Sequence, residues 1–408
     1  MASDSRRNVR IAACGVALAV AGALAWAVAP AISLAPYAPE PVNFDQDVPA
    51  VEKLDHAESR ELRAASSRTA GEAPGASEGR VRYLSEPFAA PKRFDLVGLT
   101  ELKAPVEVRA RETGGEWSPW VETSDGEPVW TGGSEELQIR SRHDEPAGDV
   151  SYVNVSGDAT AGDRALNAAR GAVNSAFVTV ASVFAPDAAS GDAPFEVVNR
   201  REWDPGHDCV PKDPAFGKVK AGVVHHTVNA NDYTPDEAPA IVLAICRYHR
   251  YSHGWNDIGY NALVDRFGNV YAGRNGGLAN PVIGAHTAGF NSQTFGVASI
   301  GDHRSSGLSK AAIEAITNLL AWKLSLHGID GRGRTRVLSA GGATSKYPSG
   351  TRVSTREVTR HRHFGQTECP GRAQISKILR ITQEKIASGE FATPEEPPPA
   401  DGGVPIVP

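Results

Sequence analysis

The run Val219-Lys-Ala-Gly-Val-Val-His-His226 constrains the fold of this chain more than any other short stretch. It reads as a buried strand that runs out into polar residues, and the polar end of such a strand is where a cleft is expected. Residues 262–265 and 269–272 read as a hairpin around Phe267-Gly268, and residues 295–300 as a further buried strand. Helical signals alternate with these runs. Thr234-Pro-Asp-Glu237 is a capping box with proline at the first helical position, which predicts a helix to about Tyr251 that buries Ala238, Ile241, Val242 and Ile245. Ser309 starts a second helix, with Ile313, Ile316, Leu320 and Leu324 on one face and Gly328 as its stop; Ile375, Ile378, Leu379 and Ile386 define a third. The combination predicts an α/β domain over residues 195–388, a mixed β-sheet flanked by helices.

Composition divides the rest of the 408-residue chain. Residues 1–36 open with the basic stretch Ser5-Arg-Arg-Asn-Val-Arg10 and continue into an uncharged run over 11–35, the pattern of a signal peptide or signal anchor. The chain beyond residue 36 is expected in the extracellular space or the cell envelope. Residues 37–79, rich in Ala, Ser, Glu and Arg, read as a disordered linker, residues 158–194 as a second linker, and residues 389–408 as a disordered Pro-rich tail. Between the linkers, residues 80–157 carry short alternating runs punctuated by Gly, Pro and Asp, which predict a small antiparallel β-sandwich-like domain. Trp117, Trp120 and Trp130 are expected in its core, a sugar-stacking face being the other reading. A formal net charge of −6 argues against a nucleic-acid partner, which usually demands a basic face. An exported enzyme or binder is the expectation, monomeric and touching a membrane only through an N-terminal anchor.

The histidines and cysteines locate a candidate site. His225 and His226 are adjacent on the strand, so their side chains point to opposite faces and at most one naturally faces a given cleft. His249 and His253 have the spacing of a zinc helix, but Arg250 stands where HExxH needs glutamate, and the pair reads as structural. His286 lies in the small-residue loop Gly284-Ala-His-Thr-Ala-Gly289, from which a side chain can reach a ligand. Of the four cysteines, Cys14 falls in the export segment; Cys209 and Cys246 can pair in an oxidising compartment, leaving Cys369. An odd cysteine in an exported chain is a reactive thiol, an intermolecular bridge or a metal ligand. In the last case two histidines with Cys369 form a zinc ligand set with one open position.

Several motifs, in one order, carry a resemblance over residues 195–388: Arg201-Glu-Trp203, Val223-Val-His-His-Thr227, Gly254-Trp-Asn-Asp-Ile-Gly-Tyr-Asn261, Gly268-Asn-Val-Tyr-Ala-Gly-Arg274, Gly284-Ala-His286 with Gly289-Phe-Asn291, and the stretch from His361 to Gly371. Together they resemble the zinc-dependent N-acetylmuramoyl-L-alanine amidases of the peptidoglycan recognition protein type. Export and a preceding β-rich module are similar to what bacterial members carry. The resemblance implies Zn²⁺ as cofactor, the muramyl-peptide of peptidoglycan as partner, and hydrolysis of the amide between N-acetylmuramic acid and L-alanine. It implies His225, His361 and Cys369 as metal ligands, Tyr260 and Thr367 as catalytic groups, His286, Asn291 and Arg274 as substrate-binding residues, and a Cys209–Cys246 disulfide. One departure stands out. The family's Gly-His-Arg-Asp is Arg360-His361-Arg362-His363 here, so His363 competes with His361 for the ligand's role, and spacing to Cys369 favours His361. Glu368 lies between two site residues, yet a loop neighbour is expected to point away. The alternative function is a peptidoglycan-binding receptor without catalysis, and Cys369 with Tyr260 argues for the enzyme.

Overall fold

The computed structural model describes residues 41–66, 80–100, 106–123, 127–157, 193–229 and 231–391. The expected export segment, residues 158–192 of the second expected linker and the tail beyond residue 391 lie outside the described residues. Among the described residues, no helix is long and apolar enough to cross a membrane.

The first region is an antiparallel sheet of eight strands: β1 Val42–Asp47, β2 Val51–Lys53, β3 Tyr83–Ser85, β4 Phe88–Leu99, β5 Val106–Arg111, β6 Val121–Thr123, β7 Val129–Ser141 and β8 Asp149–Asn154. Helix α1, His56–Ser66, comes after β2. The order along the sheet is β1-β8-β4-β7-β3-β2, with β5 pairing both β6 and β7. The long strands β4 and β7 change register along their pairing, and the sheet wraps a core of Phe94, Val97, Val108, Leu137, Ile139 and Tyr152. The expected linker over 37–79 is corrected over residues 42–66, which hold β1, β2 and α1: β1 pairs with β8 from Val42 opposite Asn154 to Asp47 opposite Asp149, Phe44 stacks on Tyr152 at 4.9 Å, and β2 pairs with β3. The sequence Val42-Asn-Phe-Asp-Gln-Asp47 buries little of its own, so average composition hides it, and only its partner strand makes it part of the sheet. The tryptophans divide. Trp120 and Trp130 are buried, whereas Trp117 is half-buried in a ladder of stacked cations, with Arg111 and Arg109 over its ring at 4.3 and 4.7 Å.

The second region is the mixed sheet anticipated from the alternating motifs. Its strands are β9 Val197–Val198, β10 Ala221–His226, β11 Ala262–Val264, β12 Val270–Ala272, β13 Thr294–Ser299 and β16 Val358–Arg360, in the order β16-β10-β13-β11-β12-β9; β14 Arg334–Leu338 and β15 Arg352–Arg356 form a separate hairpin. Strand β10 lies parallel to β13 and β16, and only the β11–β12 hairpin is antiparallel. The short helix α2, Arg200–Trp203, opens the region. Helix α3, Ala238–Arg247, packs on one face of the sheet; α4, Lys310–Leu326, and α5, Ile375–Ala387, pack on the other. The helix expected from Thr234 starts later, because residues 235–237 form a turn closed by Glu237 on the Thr234 backbone and hydroxyl. At its other end α3 passes into a π-turn, Tyr248–Ser252, which buries both Tyr248 and His249. Ser309 caps α4 as expected, its hydroxyl accepting from the Ala312 N–H at 3.0 Å. Cys209 and Cys246 form a disulfide that ties the loop before β10 to α3.

The two regions share a core. Leu96, Trp130, Val153 and Val155 of the first pack in one cluster with Ile241, Val242 and Ile245 of α3. Gly98 permits a close approach, since a Cβ there would stand 2.2 Å from the Tyr248 hydroxyl. Polar contacts at the rim include Arg247 to Asn43 at 2.9 Å and Arg304 to Glu122 at 3.0 Å. Gly98→Ala is therefore expected to overpack this seam and lower stability by about 1–3 kcal/mol. Urea denaturation followed by fluorescence measures it, and an unchanged midpoint would show that the seam yields freely.

Candidate metal centre

Strand β10 decides which histidine reaches the cleft. A Cβ on Gly222 would stand 2.5 Å from Leu320 of α4, and Val224 joins the core beneath that helix, so the even-numbered positions, His226 among them, face α4. Val223 and His225 face the other way, where Val223 packs with Phe290, Val337, Val353 and Phe364. His226 accepts a hydrogen bond from the His303 N–H at 3.1 Å through Nδ1 and stands 3.8 Å from Asp302.

Around His225 three donors converge. Ligand atoms of His225, His361 and Cys369 all lie within 4.8 Å of one another. His225 Nδ1 is 3.7 Å from Cys369 Sγ, and the rings of His225 and His361 are 4.6 Å apart. The register explains the encounter: Val224 on β10 sits opposite Arg360, the last residue of β16, and the residue that follows each is a histidine, His225 and His361. The loop after His361 returns Cys369, held by the Arg362 N–H on its carbonyl at 2.9 Å and by its own N–H on the Thr367 hydroxyl at 2.9 Å. The His226 backbone N–H also donates to Cys369 Sγ at 3.3 Å, a contact that favours the thiolate. His363 lies apart from this cluster, its ring against Phe364 at 4.9 Å.

The other residues singled out by motif fall around these three. His286 is buried beside His225, its Nδ1 3.0 Å from His225 Nε2. A proton on His225 Nε2 shared with His286 leaves Nδ1 of His225 as the lone-pair atom, the one turned towards Cys369. Gly296 makes room for the His286 ring, which a Cβ there would meet at 2.4 Å. Asn291 supports the turn carrying His286, its side-chain oxygen accepting from the N–H groups of His286 and Thr287 at 2.9 and 2.8 Å. Arg274 reaches the Ile258 carbonyl at 3.3 Å and lines a separate pocket with Asn256, Asp257 and Asn275. Glu368 is exposed and pairs with Arg362 at 3.7 Å. Tyr260 is 2% exposed, and its ring centre lies 5.4 Å from that of His225. Its hydroxyl donates to Glu127 of the first region at 2.7 Å. No motif flagged Glu127, which is 133 residues away in sequence.

Burial keeps these imidazoles neutral. Desolvation, then the neighbouring histidines, holds His225 well below the ordinary imidazole range. Desolvation lowers His286 to about 3, and desolvation followed by the charge of Lys346 lowers His361 to about 4. Neutral imidazoles beside a thiol that accepts an N–H are the donor set that divalent zinc favours. These groups titrate lower in the fold than in the unfolded chain, where histidine takes up a proton near 6.5. Their contribution to stability is therefore complete above about 6.5 and is lost as pH falls towards 4 and 3. With chelator present, the melting temperature is expected to drop between pH 7 and pH 5, and a flat profile would count against buried neutral histidines.

A family model described as N-acetylmuramoyl-L-alanine amidase matches residues 215–372. Peptidoglycan-recognition protein SC2 of Drosophila simulans is 32% identical over 200 residues, covering 48% of this chain and 91% of that protein. The N-acetylmuramoyl-L-alanine amidase of Homo sapiens is 37% identical over 101 residues, 24% of this chain and 16% of its own length. Among solved structures, wild-type Drosophila PGRP-LB matches with 25% identity and a TM-score of 0.34, covering 48% of this chain and 96% of that one.

Proposed function

We propose that this chain, which belongs to the peptidoglycan-recognition protein family, is an exported zinc-dependent amidase that cleaves peptidoglycan between N-acetylmuramic acid and L-alanine. The observation that carries the reading is the convergence of His225, His361 and Cys369 on one point beside Tyr260. A member that only bound the cell wall would have no use for a buried thiol against two neutral imidazoles.

His225 through Nδ1, His361 and Cys369 would hold the metal, and zinc in a three-ligand site lowers the pKa of a bound water to about 7 and polarises a carbonyl. The chain's own groups supply the rest. His286 fixes the tautomer of His225, and Asn291 fixes His286. Thr367 keeps its hydroxyl proton, because the bond it makes to the Cys369 N–H uses an oxygen lone pair; that proton is available to an oxyanion developing on the lactyl carbonyl. The leaving amine of L-alanine must gain a proton, which the attacking water gives up and which the Thr367 hydroxyl is assigned to pass on. Arg274, at its pocket with Asn256 and Asn275, is assigned to the peptide portion of the substrate. His286 and Asn291 are assigned to act on the substrate through the ligand they support, beside the direct contact with the muramyl-peptide that the family resemblance implies.

The test uses the full chain. Purified protein is expected to carry one zinc per chain and to release new L-alanine amino termini from purified sacculi, whereas Cys369→Ala loses the metal and the release together. Protein that binds no zinc and releases nothing, yet sediments with sacculi, would make the receptor reading the correct one.

A further inference from the structure

The first region does more than abut the amidase domain, because it places a carboxylate on Tyr260. Glu127 stands just ahead of β7, before Pro128 and Val129, both buried, and Trp130, which packs into the cluster shared with α3. A proline with fixed φ and an anchored indole leave the backbone of Glu127 little freedom. Its Oε1 accepts the Tyr260 hydroxyl at 2.7 Å, and its Oε2 lies 3.9 Å from His249 Nε2. His249 accepts the Gly259 N–H at 3.1 Å through Nδ1, so the neutral ring carries its own proton on Nε2, on the side of Glu127. Two ring systems therefore turn donors towards one carboxylate.

A phenol has a single proton to give. With that proton directed at Glu127, the Tyr260 oxygen offers lone pairs to whatever else approaches it. An oxygen in that state accepts a hydrogen bond from an attacking water; it does not donate one to an oxyanion. We propose that Glu127 is a positioning residue for the hydrolysis, supplied by the β-rich region, that sets Tyr260 as the acceptor orienting the attacking water and leaves donation to the oxyanion with Thr367. This rests on the amidase reading, and it makes the β-rich region part of the catalytic unit.

The experiment compares wild type with Glu127→Ala, Glu127→Gln, Tyr260→Phe and the double variant Glu127→Ala/Tyr260→Phe, all in the full chain. The readout is release of L-alanine amino termini from sacculi, with zinc content and melting temperature measured alongside. Glu127→Ala is expected to lower kcat by about 10- to 100-fold, the range for groups that support a site from behind, with KM within about twofold and zinc retained. Glu127→Gln, whose amide oxygen also accepts, is expected to recover most of the loss, and in the Tyr260→Phe background the Glu127→Ala effect should vanish. Faster release by Glu127→Ala would instead make Glu127 a plug and overturn the proposal. So would an unchanged kcat, or an equal loss in the Tyr260→Phe background, which would mark a role in docking alone. A wild type that cleaves nothing overturns the amidase reading and this one with it, whereas an active wild type indifferent to Glu127 overturns this one only.

Discussion

The parallel pairing of β10 with β16 is the constraint on which the candidate site depends. Placing Val224 opposite Arg360 makes neighbours of the residues that follow them, His225 on β10 and His361 just past the end of β16. Parallel pairing needs a long crossover, and here the whole of β11 to β15, with α3 and α4, lies between the two strands. The site is thus closed last in the chain's order, by the loop that returns Cys369 to the end of β10. Everything else around it is support: the helices that bury β10 on one face, and the Phe290–Phe364 stack that holds its Val223 side on the other.

A second dependence runs between the two folded regions. Their seam is a continuous apolar cluster, not a polar touch across a linker, and it takes in Tyr248 of the π-turn. Burial there has a chemical consequence, because Tyr260 and His249 are desolvated beside the carboxylate of Glu127. In a low-dielectric setting such contacts are stronger than in water, and an unmatched polar group costs more. A seam of this kind can therefore tune a site as well as stabilise a fold.

Much of this was legible from residues taken a few at a time. Strand and helix identity in the second region came from apolar periodicity, capping and stop signals, as at Ser309 and the Phe267-Gly268 turn. The opposition of His225 and His226 came from the two-residue repeat of a strand. Less legible were features whose cause is distant. Strand β1 has too little apolar content to declare itself and exists because β8 offers an edge. The start of α3 moved because the Thr234–Glu237 contact closes a turn ahead of the helix. Trp117 lies half-buried outside the core, under Arg109 and Arg111 of β5.

What the sequence determined by itself is the local chemistry: which residues can ligate a metal, which side of a strand each occupies, where helices begin and end, and the family to which the motifs belong. These depend on covalent geometry and on neighbours within a few residues, which any reading of the chain contains. What only the tertiary structure decided is the company those residues keep. That His286 braces His225, that Asn291 braces His286, and that Glu127 reaches Tyr260 across 133 residues all depend on which surfaces exclude water from each other. Such burial is a property of packed elements, and no short stretch of sequence carries it.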